Sequence, residues 1–327
     1  TRMGADRVIF TSSGTEANNL SLLGAAYAKK RDPHRPGTIL LAAGEHPSME
    51  NPALRLESEG YDLVHISTAG GVLDLAALTD VLQAPPSPIL YFGCMRVNNE
   101  TGAVYDVPAA ARLVRKYAPG AVIHCDDVQG FCKIRDTPER LCVDTLSVSA
   151  HKIHGPKGVG FLYINSKAKV QPLILGGGQQ NGMRSGTDNV PGIAGLGVAA
   201  KMMYQNFDEK AEHLYQLKER MAEGLSKMND VVINGMPVRE GAPHILSVSF
   251  LGIRSEVLLH TLEDRNIYVS AGSACSSHKR KPSATLSAMG MSNAQIENTV
   301  RISFSEENTL EEVDYCLEVL NEVLPML

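Results

Sequence analysis

The feature that most limits how this 327-residue chain can fold is an alternation of short apolar runs with amphipathic stretches through its first two-thirds. Many of the short runs are β-branched, and such alternation is typical of a parallel sheet with crossover helices. It predicts an α/β fold with a mostly parallel sheet flanked by helices. The predicted strands are 8–11, 38–42, 89–94, 121–126, 145–149 and 160–164, and the predicted helices are 16–31, 108–117 and 191–206.

The pattern changes after residue 206, where a charged helical stretch at 208–228 places Leu214, Leu217 and Met221 on one face. Further strands are predicted at 245–250 and 268–271, a helix at 255–265, and a last helix from Leu310. This part is α+β. With roughly 100–200 residues per domain, the sequence predicts a large domain over 1–205 and a smaller one over 206–327.

Composition excludes several classes of protein. A net charge of −5 provides no basic surface for nucleic acid, and no apolar run approaches the length of a membrane span. The start of the sequence does not resemble a signal peptide. The six cysteines form no CxxC pair, which favours reduced thiols over disulfides or structural zinc. We therefore expect a cytoplasmic protein without a metal site, membrane contact or nucleic-acid partner.

The segment VIFTSSGTEANNL places small and hydroxyl residues between a predicted strand and helix. Backbone N–H groups at a helix N-terminus favour an anion such as phosphate. Taken alone, the segment is better explained as a capped helix with Ser13 or Thr15 at the N-cap.

A second feature is Lys152, which directly follows an apolar strand in SVSAHKIHGPKGVGF. Desolvation there would free its amine to form a Schiff base, although a surface lysine at the start of a loop is the simpler local interpretation. Asn99 and Asp126 lie just beyond or at the carboxyl ends of two strands of one predicted βαβ unit, at the same sheet edge. A carboxylate at such a site can pair with the pyridine nitrogen of pyridoxal phosphate (PLP).

Eight motifs resemble the cysteine desulfurase family in its NifS/IscS-like branch. They run in the family's order from Val8 to Ser305 and are TSSGTEANN, EHPSM, NNETG, HCDDVQ, SAHKIHGPKGVG, GGGQQNGMRSGT, SAGSACSS and VRISF. The resemblance implies the fold-type I architecture of PLP-dependent transferases of the aminotransferase class-V group.

The resemblance also implies residue roles. Lys152 would hold PLP covalently, Asp126 would pair with its pyridine nitrogen, and His46 would stack on its ring and assist proton transfer. The remaining implied contacts are Asn99 and Gln129 to the ring hydroxyl, Gly14, Thr15, Ser149 and His151 to the phosphate, Thr187 to the phosphate of a neighbouring subunit in a homodimer, and Arg301 to the substrate carboxylate.

Cys275 lies in the Gly- and Ser-rich segment SAGSACSSHKRKPS, whose basic end favours the nucleophilic thiolate. From local composition it is an incidental loop thiol, but the match to the family implies that it receives sulfur. Cys94, Cys125, Cys132 and Cys142 are interpreted as core or near-core residues.

The implied reaction converts L-cysteine to L-alanine. Lys152 takes the α-proton and the Cys275 thiolate attacks the substrate sulfur, leaving a persulfide for an acceptor such as an iron–sulfur scaffold or a tRNA-thiolation protein. Two departures from the family are the short stretch before the phosphate motif and Asp127, where relatives have a small residue. The alternatives are a selenocysteine lyase and an N-terminally truncated inactive or regulatory homologue; an aminotransferase has no need of Cys275.

Overall fold

The computed structural model describes residues 5–29, 37–271 and 282–327. These residues divide into two compact units. The first comprises the described parts of Thr1–Ser67, Leu73–Val97 and Tyr105–Gln205, and the second those of Thr68–Val72, Asn98–Val104 and Asn206–Leu327. Two short segments from the first two-thirds of the chain thus group with the second unit. The domain limits drawn from the sequence, 1–205 and 206–327, stay a prediction.

The first unit contains a seven-stranded sheet among the described residues. Its strands are β1 (Val8–Thr11), β2 (Thr38–Ala42), β3 (Asp62–Ile66), β4 (Ile89–Met95), β5 (Val122–Asp126), β6 (Thr145–Ser149) and β7 (Gly160–Ile164). Its helices are α1 (Gly14–Ala28), α2 (Pro47–Ser58), α3 (Leu75–Gln83), α4 (Val107–Tyr117), α5 (Pro138–Leu141) and α6 (Val190–Tyr204).

The strand order is β1-β7-β6-β5-β4-β2-β3. Strands β3, β2, β4, β5 and β6 pair in parallel, and β7 pairs antiparallel with both β6 and β1. The mostly parallel sheet is therefore confirmed, including the parallel pairing of β4 and β5 in the predicted βαβ unit. Strand β1 lies at one edge, where the Gln180 side chain bonds both backbone groups of Phe10, at 2.6 Å to its N–H and 2.9 Å to its carbonyl.

Local capping explains where the helices of the first unit begin. The Ser13 hydroxyl accepts from the Glu16 N–H at 3.2 Å, so Ser13 rather than Thr15 is the N-cap of α1. The Glu16 carboxylate reaches back to the Ser12 N–H at 2.8 Å. Helix α2 begins after His46, whose Nδ1 accepts from the Ser48 N–H, and Pro47 needs no intrahelical donor at this position.

The second unit contains helix α7 (Phe207–Leu225) and an antiparallel sheet in the order β10-β11-β9-β8. The strands are β8 (Val231–Asn234), β9 (Ile245–Phe250), β10 (Ser270–Ala271) and β11 (Thr299–Ser303). The other helices are α8 (Ser255–Glu263), α9 (Ala284–Ala288), α10 (Asn293–Glu297) and α11 (Leu310–Val323). Its core joins α7 and α11 to this sheet through side chains such as Leu217, Val248 and Leu320.

Several elements were not predicted. They are α2, β3, α3 and α5 in the first unit and β8, β11, α9 and α10 in the second. Strand β3 is half-exposed and edge-placed, so it lacks the continuous apolar run that marks β2. Helix α2 contains Pro52, which weakens its helical signal. Within the part of the chain that the structure describes, no helix is both long and apolar enough to cross a bilayer.

Candidate active site

Asp126 ends β5 at the carboxyl edge of the parallel strands, and its side chain is buried. Its Oδ2 accepts a hydrogen bond of 2.7 Å from Asn18 Nδ2, and its Oδ1 accepts one of 3.0 Å from the Val128 N–H. Two donors therefore hold the carboxylate in a fixed orientation, with α1 supplying one and the turn after β5 the other.

His46 stands at the start of α2 with an exposed side chain. Its Nδ1 lies 3.1 Å from the Ser48 N–H and 2.8 Å from Ser48 Oγ. Surrounding protein atoms lower the pKa of His46; the charge of Asp126 opposes this shift and the charge of Lys152 adds to it. The charges of Asp126 and Lys152 therefore act on the His46 pKa in opposite directions.

Asn18, in helix α1, connects Asp126 to His46 by way of Ser48. It is fully buried, and its Nδ2 also donates to Ser48 Oγ at 2.8 Å. Its Oδ1 lies 3.0 Å from His124 Nε2. Burial lowers the pKa of His124 to about 3, so the ring is neutral, and this pairing assigns its proton to Nε2.

The N-terminus of α1 forms the wall of a small cradle. A Cβ at Gly14 would lie 2.7 Å from Val128 Cγ2 and 3.3 Å from Ser149 Cβ, so only glycine allows this close approach. Ser149 ends β6, and its Oγ lies 2.9 Å from His151 Nδ1. Thr15 occupies the first turn, where backbone N–H groups have no intrahelical acceptor. Gly14, Ser149 and His151 thus meet at one place.

Lys152 lies in the short 3-10 helix Ala150–Ile153 that follows β6, and its side chain is exposed. Burial and the Lys152 charge both lower the pKa of His151. The charge of Lys152 thus lowers the pKa of both His46 and His151. Gln129 is half-buried three residues after Asp126, and Thr187 is exposed in the loop before α6.

Asn99 and Arg301 belong to the second unit. Arg301 Nη1 donates to the Asn99 carbonyl at 2.8 Å, and Nη2 donates to Ser270 Oγ at 3.2 Å. Arg301 Nε is buried and has no partner among the described residues. Nearby Glu100 accepts from Ser283 Oγ at 2.6 Å, and burial raises its pKa. The Arg301 guanidinium is thus positioned by two neutral acceptors, the Asn99 carbonyl and the Ser270 hydroxyl.

Cys275 lies outside the described residues. Among those described, five cysteines are free thiols: Cys94, Cys125, Cys132 and Cys316 are buried and Cys142 is exposed. The expectation that Cys142 is a core or near-core residue is thus wrong; it follows α5 in a left-handed conformation with φ of 58°. No group of three His, Cys, Asp or Glu side chains in the described ranges is arranged to hold a metal ion.

Two buried acids stand beside Asp126. Glu45 Oε1 accepts from the Met95 N–H at 2.7 Å, while its Oε2 has no partner within the described residues. Burial, and then the charge of Asp126, raise the pKa of Glu45 well above its usual value. Asp127 Oδ1 is also without a partner in the described part, and burial followed by the charge of Asp136 raises its pKa well above normal.

Sequence reasoning did not single out Asn18, Ser48, Glu45 or His124. Each lies within a motif used for the resemblance or beside one, namely TSSGTEANN, EHPSM or HCDDVQ. The available signal was the polar pair Asn18 and Ser21, three residues apart in a helix whose other buried residues are mostly apolar, since buried polar side chains need partners. Nothing local, however, names those partners.

The α/β fold places a lysine after β6, an aspartate at the end of the neighbouring strand β5 and a glycine at the N-terminus of α1. Together these residues define a site for a phosphate-bearing aldehyde cofactor. The family model for aminotransferase class-V matches residues 3–316. The chain belongs to the aminotransferase class-V family.

Comparisons with individual relatives agree with this family assignment. The chain is 36% identical over 323 residues to the NifS/IcsS protein homolog of Lactobacillus delbrueckii subsp. bulgaricus, covering 98% of this chain and 82% of that protein. It is 35% identical over 331 residues to cysteine desulfurase IscS of Photorhabdus laumondii subsp. laumondii, covering 99% and 79%. A solved structure of a NifS-like protein matches with a TM-score of 0.89 and 34% identity, covering 99% of this chain and 84% of that one.

These matches confirm the family resemblance and the fold-type I architecture predicted from the motifs. The family depends on PLP. The described residues fit this cofactor, because the N-terminus of α1, an anion-binding position, approaches Ser149 closely at Gly14 and because Asp126 is a buried carboxylate held in place by two donors.

Proposed function

We propose that this protein is a PLP-dependent cysteine desulfurase that converts L-cysteine to L-alanine. The observation that carries the proposal is the hydrogen-bond path from Asp126 through Asn18 and Ser48 to His46, with contacts of 2.7, 2.8 and 2.8 Å, at the sheet edge where Lys152 follows β6. The printed names of relatives covering nearly the whole chain support the choice of reaction.

In this proposal, five residues of the first unit bind the phosphate and the pyridine nitrogen of the cofactor. Gly14, Thr15, Ser149 and His151 bind the phosphate at the start of α1, where the helix dipole favours an anion. Asp126 pairs with the pyridine nitrogen, and its two donors keep the carboxylate aimed. Bound PLP supplies an electron sink for the bond that is broken at the substrate α-carbon.

Other side chains orient the reactants and move protons. His46 stacks on the ring, and Gln129 and Asn99 contact the ring hydroxyl. Arg301 binds the substrate carboxylate, which the unpartnered Nε donor supports. Lys152 anchors the cofactor and, once the substrate is bound, its amine takes the α-proton.

Cys275 receives the sulfur. Its thiolate attacks the substrate sulfur, so that an S–S bond forms as the substrate C–S bond breaks. The electron pair of the C–S bond stays on the substrate, which gains a proton at Cβ and regains one at Cα, and L-alanine leaves. The four neighbouring basic or imidazole residues at 278–281 favour the thiolate. The persulfide then passes to an acceptor protein, for which we propose an iron–sulfur scaffold.

The working form is proposed to be a cytoplasmic homodimer. Thr187 lies exposed before α6, as is required of a residue that contacts the phosphate held by a neighbouring subunit. A monomer at micromolar concentration with full activity would contradict this part of the proposal.

The test is to incubate the purified protein with PLP and L-cysteine, to measure alanine and sulfide, and to map any persulfide by mass spectrometry. We expect alanine and a persulfide at Cys275. Cys275→Ser should keep bound PLP but lose turnover, whereas the control Cys142→Ser removes an exposed thiol and should retain turnover. Normal turnover by Cys275→Ser would refute sulfur transfer through this residue.

A second pair of variants tests the cofactor anchor. Lys152→Ala should lose the covalent attachment of PLP, measured as the mass added after borohydride reduction, while Lys157→Ala, another exposed lysine after β6, should keep it. Parallel assays with L-selenocysteine distinguish a desulfurase from a selenocysteine lyase. A protein that binds no PLP would support the inactive homologue instead.

A further inference from the structure

The cofactor side of the first unit depends on one buried amide that none of the assigned roles includes. Asn18 is 1% exposed and lies 108 residues from Asp126 in the chain. Its Nδ2 donates to Asp126 Oδ2 at 2.7 Å and to Ser48 Oγ at 2.8 Å, so both of its donor hydrogens are used.

The directions of the three hydrogen bonds made by the Asn18 side chain can be assigned. A carboxylate oxygen only accepts, so the atom of Asn18 that faces Asp126 is the amide nitrogen. The opposite atom, Oδ1, must then accept from His124 Nε2 at 3.0 Å. His124 is held in turn by Ser21 Oγ and Thr145 Oγ1, at 3.1 and 3.0 Å from its Nδ1.

The same logic extends to His46. Because Ser48 Oγ accepts from Asn18, its own hydrogen is available for His46 Nδ1 at 2.8 Å. His46 Nδ1 also accepts from the Ser48 N–H at 3.1 Å. Two donors on Nδ1 leave the proton of the neutral ring on Nε2.

We propose that Asn18 is a positioning residue for the cofactor site, which orients the Asp126 carboxylate directly and, by holding Ser48 Oγ as a donor to His46 Nδ1, reinforces the Nε2–H tautomer that the Ser48 N–H already favours. The proposal rests on the proposed function, since it concerns the groups that hold PLP there. One side chain thereby couples the residue under the ring nitrogen to the residue that stacks on the ring.

The experiment compares Asn18→Leu, which keeps the approximate volume and removes all three bonds, with Ser48→Ala, which removes only the branch to His46. The matched control is Asn234→Leu, a buried asparagine of the second unit that bonds Ser247 and Ser249. Two quantities are measured: the dissociation constant of PLP, and the ¹⁵N shifts of the His46 ring with and without PLP, assigned through His46→Gln.

We expect Asn18→Leu to weaken PLP binding at least about tenfold, because the Asp126 carboxylate loses a charge-assisted donor. Both Asn18→Leu and Ser48→Ala should increase the fraction of His46 protonated on Nδ1. Ser48→Ala should weaken PLP binding less than Asn18→Leu does, and Asn234→Leu should change neither quantity.

Wild-type PLP affinity together with unchanged His46 shifts in Asn18→Leu would overturn the proposal. If Asn18→Leu does not fold, unchanged His46 shifts in Ser48→Ala overturn it and altered shifts support it. A wild-type protein that binds no PLP refutes the proposed function, and is recognised separately because the His46 shifts are also measured without PLP.

Discussion

Asp126 and Asp127 are adjacent residues at the end of β5, and their carboxyl groups have opposite surroundings. They are nearly equally buried, with 6% and 4% of their surface exposed. Asp126 accepts from Asn18 and from the Val128 N–H, whereas Asp127 Oδ1 has no partner among the described residues. The comparison shows that donors, rather than burial alone, decide what a carboxyl group at this sheet edge can do.

Side chains of both charges lie near Asp127, namely Arg96 and Asp136. Arg96 Nε donates to Asp136 Oδ2 at 2.6 Å, so the nearby guanidinium is already paired. Arg96 lowers the pKa of Asp127, but burial and the Asp136 carboxylate raise it more strongly. We therefore interpret Asp127 as a buried carboxyl whose surroundings favour its protonated form, beside the hydrogen-bonded Asp126.

The largest expected effect comes from removing the positioned carboxylate. Asp126→Ala should lower kcat for desulfuration by about 1000-fold, equivalent to about 4 kcal/mol, because a preorganised charge at the cofactor is lost. Asp127→Asn is the matched control and should stay within about threefold of wild type. Steady-state alanine production measures both, and equal losses in the two variants would erase the functional contrast.

The second-largest effect is on stability, and here the substitution, Asp127→Asn, is expected to stabilise the protein. Because burial raises the pKa of Asp127 above the usual 3.8, the contribution of Asp127 to stability falls as pH rises from that value through the folded-state pKa. Asp127→Asn removes this loss, so its free energy of unfolding at pH 8 should exceed the wild-type value by about 1–3 kcal/mol. Urea titrations at pH 4, 6 and 8 measure the difference, which should be smallest at pH 4.

Glu45→Gln should also raise the free energy of unfolding at pH 8, by less than Asp127→Asn does. Burial and Asp126 raise the pKa of Glu45, so its contribution to stability is also lost with rising pH. A glutamine carbonyl can still accept from the Met95 N–H, and we expect a gain of about 1 kcal/mol at pH 8 that shrinks toward pH 4. A gain independent of pH would show that Glu45 does not titrate in this range.

The smallest effect tests the neighbour of Asp127. Asp136→Asn removes the carboxylate whose charge raises the pKa of Asp127, so the fall in stability between pH 5 and pH 8 should become shallower by less than about 1 kcal/mol. Comparing the two pH values within each variant cancels the pH-independent cost of breaking the Arg96 ion pair. An unchanged slope would assign the Asp127 shift to burial alone.

Much of the fold was predictable because it is encoded in short continuous runs. Strands β1, β2, β6, β7 and β9 have the limits that the sequence indicates, since each is a short run rich in apolar residues, with serines interspersed in β6 and β9. Helices α2 and α3 and strand β3 were not predicted, because Pro52 interrupts the first and half-exposed residues blur the others. The antiparallel direction of β7 also depends on packing, since a strand's sequence does not set its direction.

By itself, the sequence determined the order of the motifs, the family and the identity of candidate residues such as Lys152 and Asp126. Only the tertiary structure decided that Asn18 serves Asp126, that Ser48 joins Asn18 to His46, and that Asp127 receives a different environment from its neighbour. The reason is physical: the donor to Asp126 comes from a residue 108 positions away, and a hydrogen bond depends on the positions of two atoms in space, which local patterns do not specify.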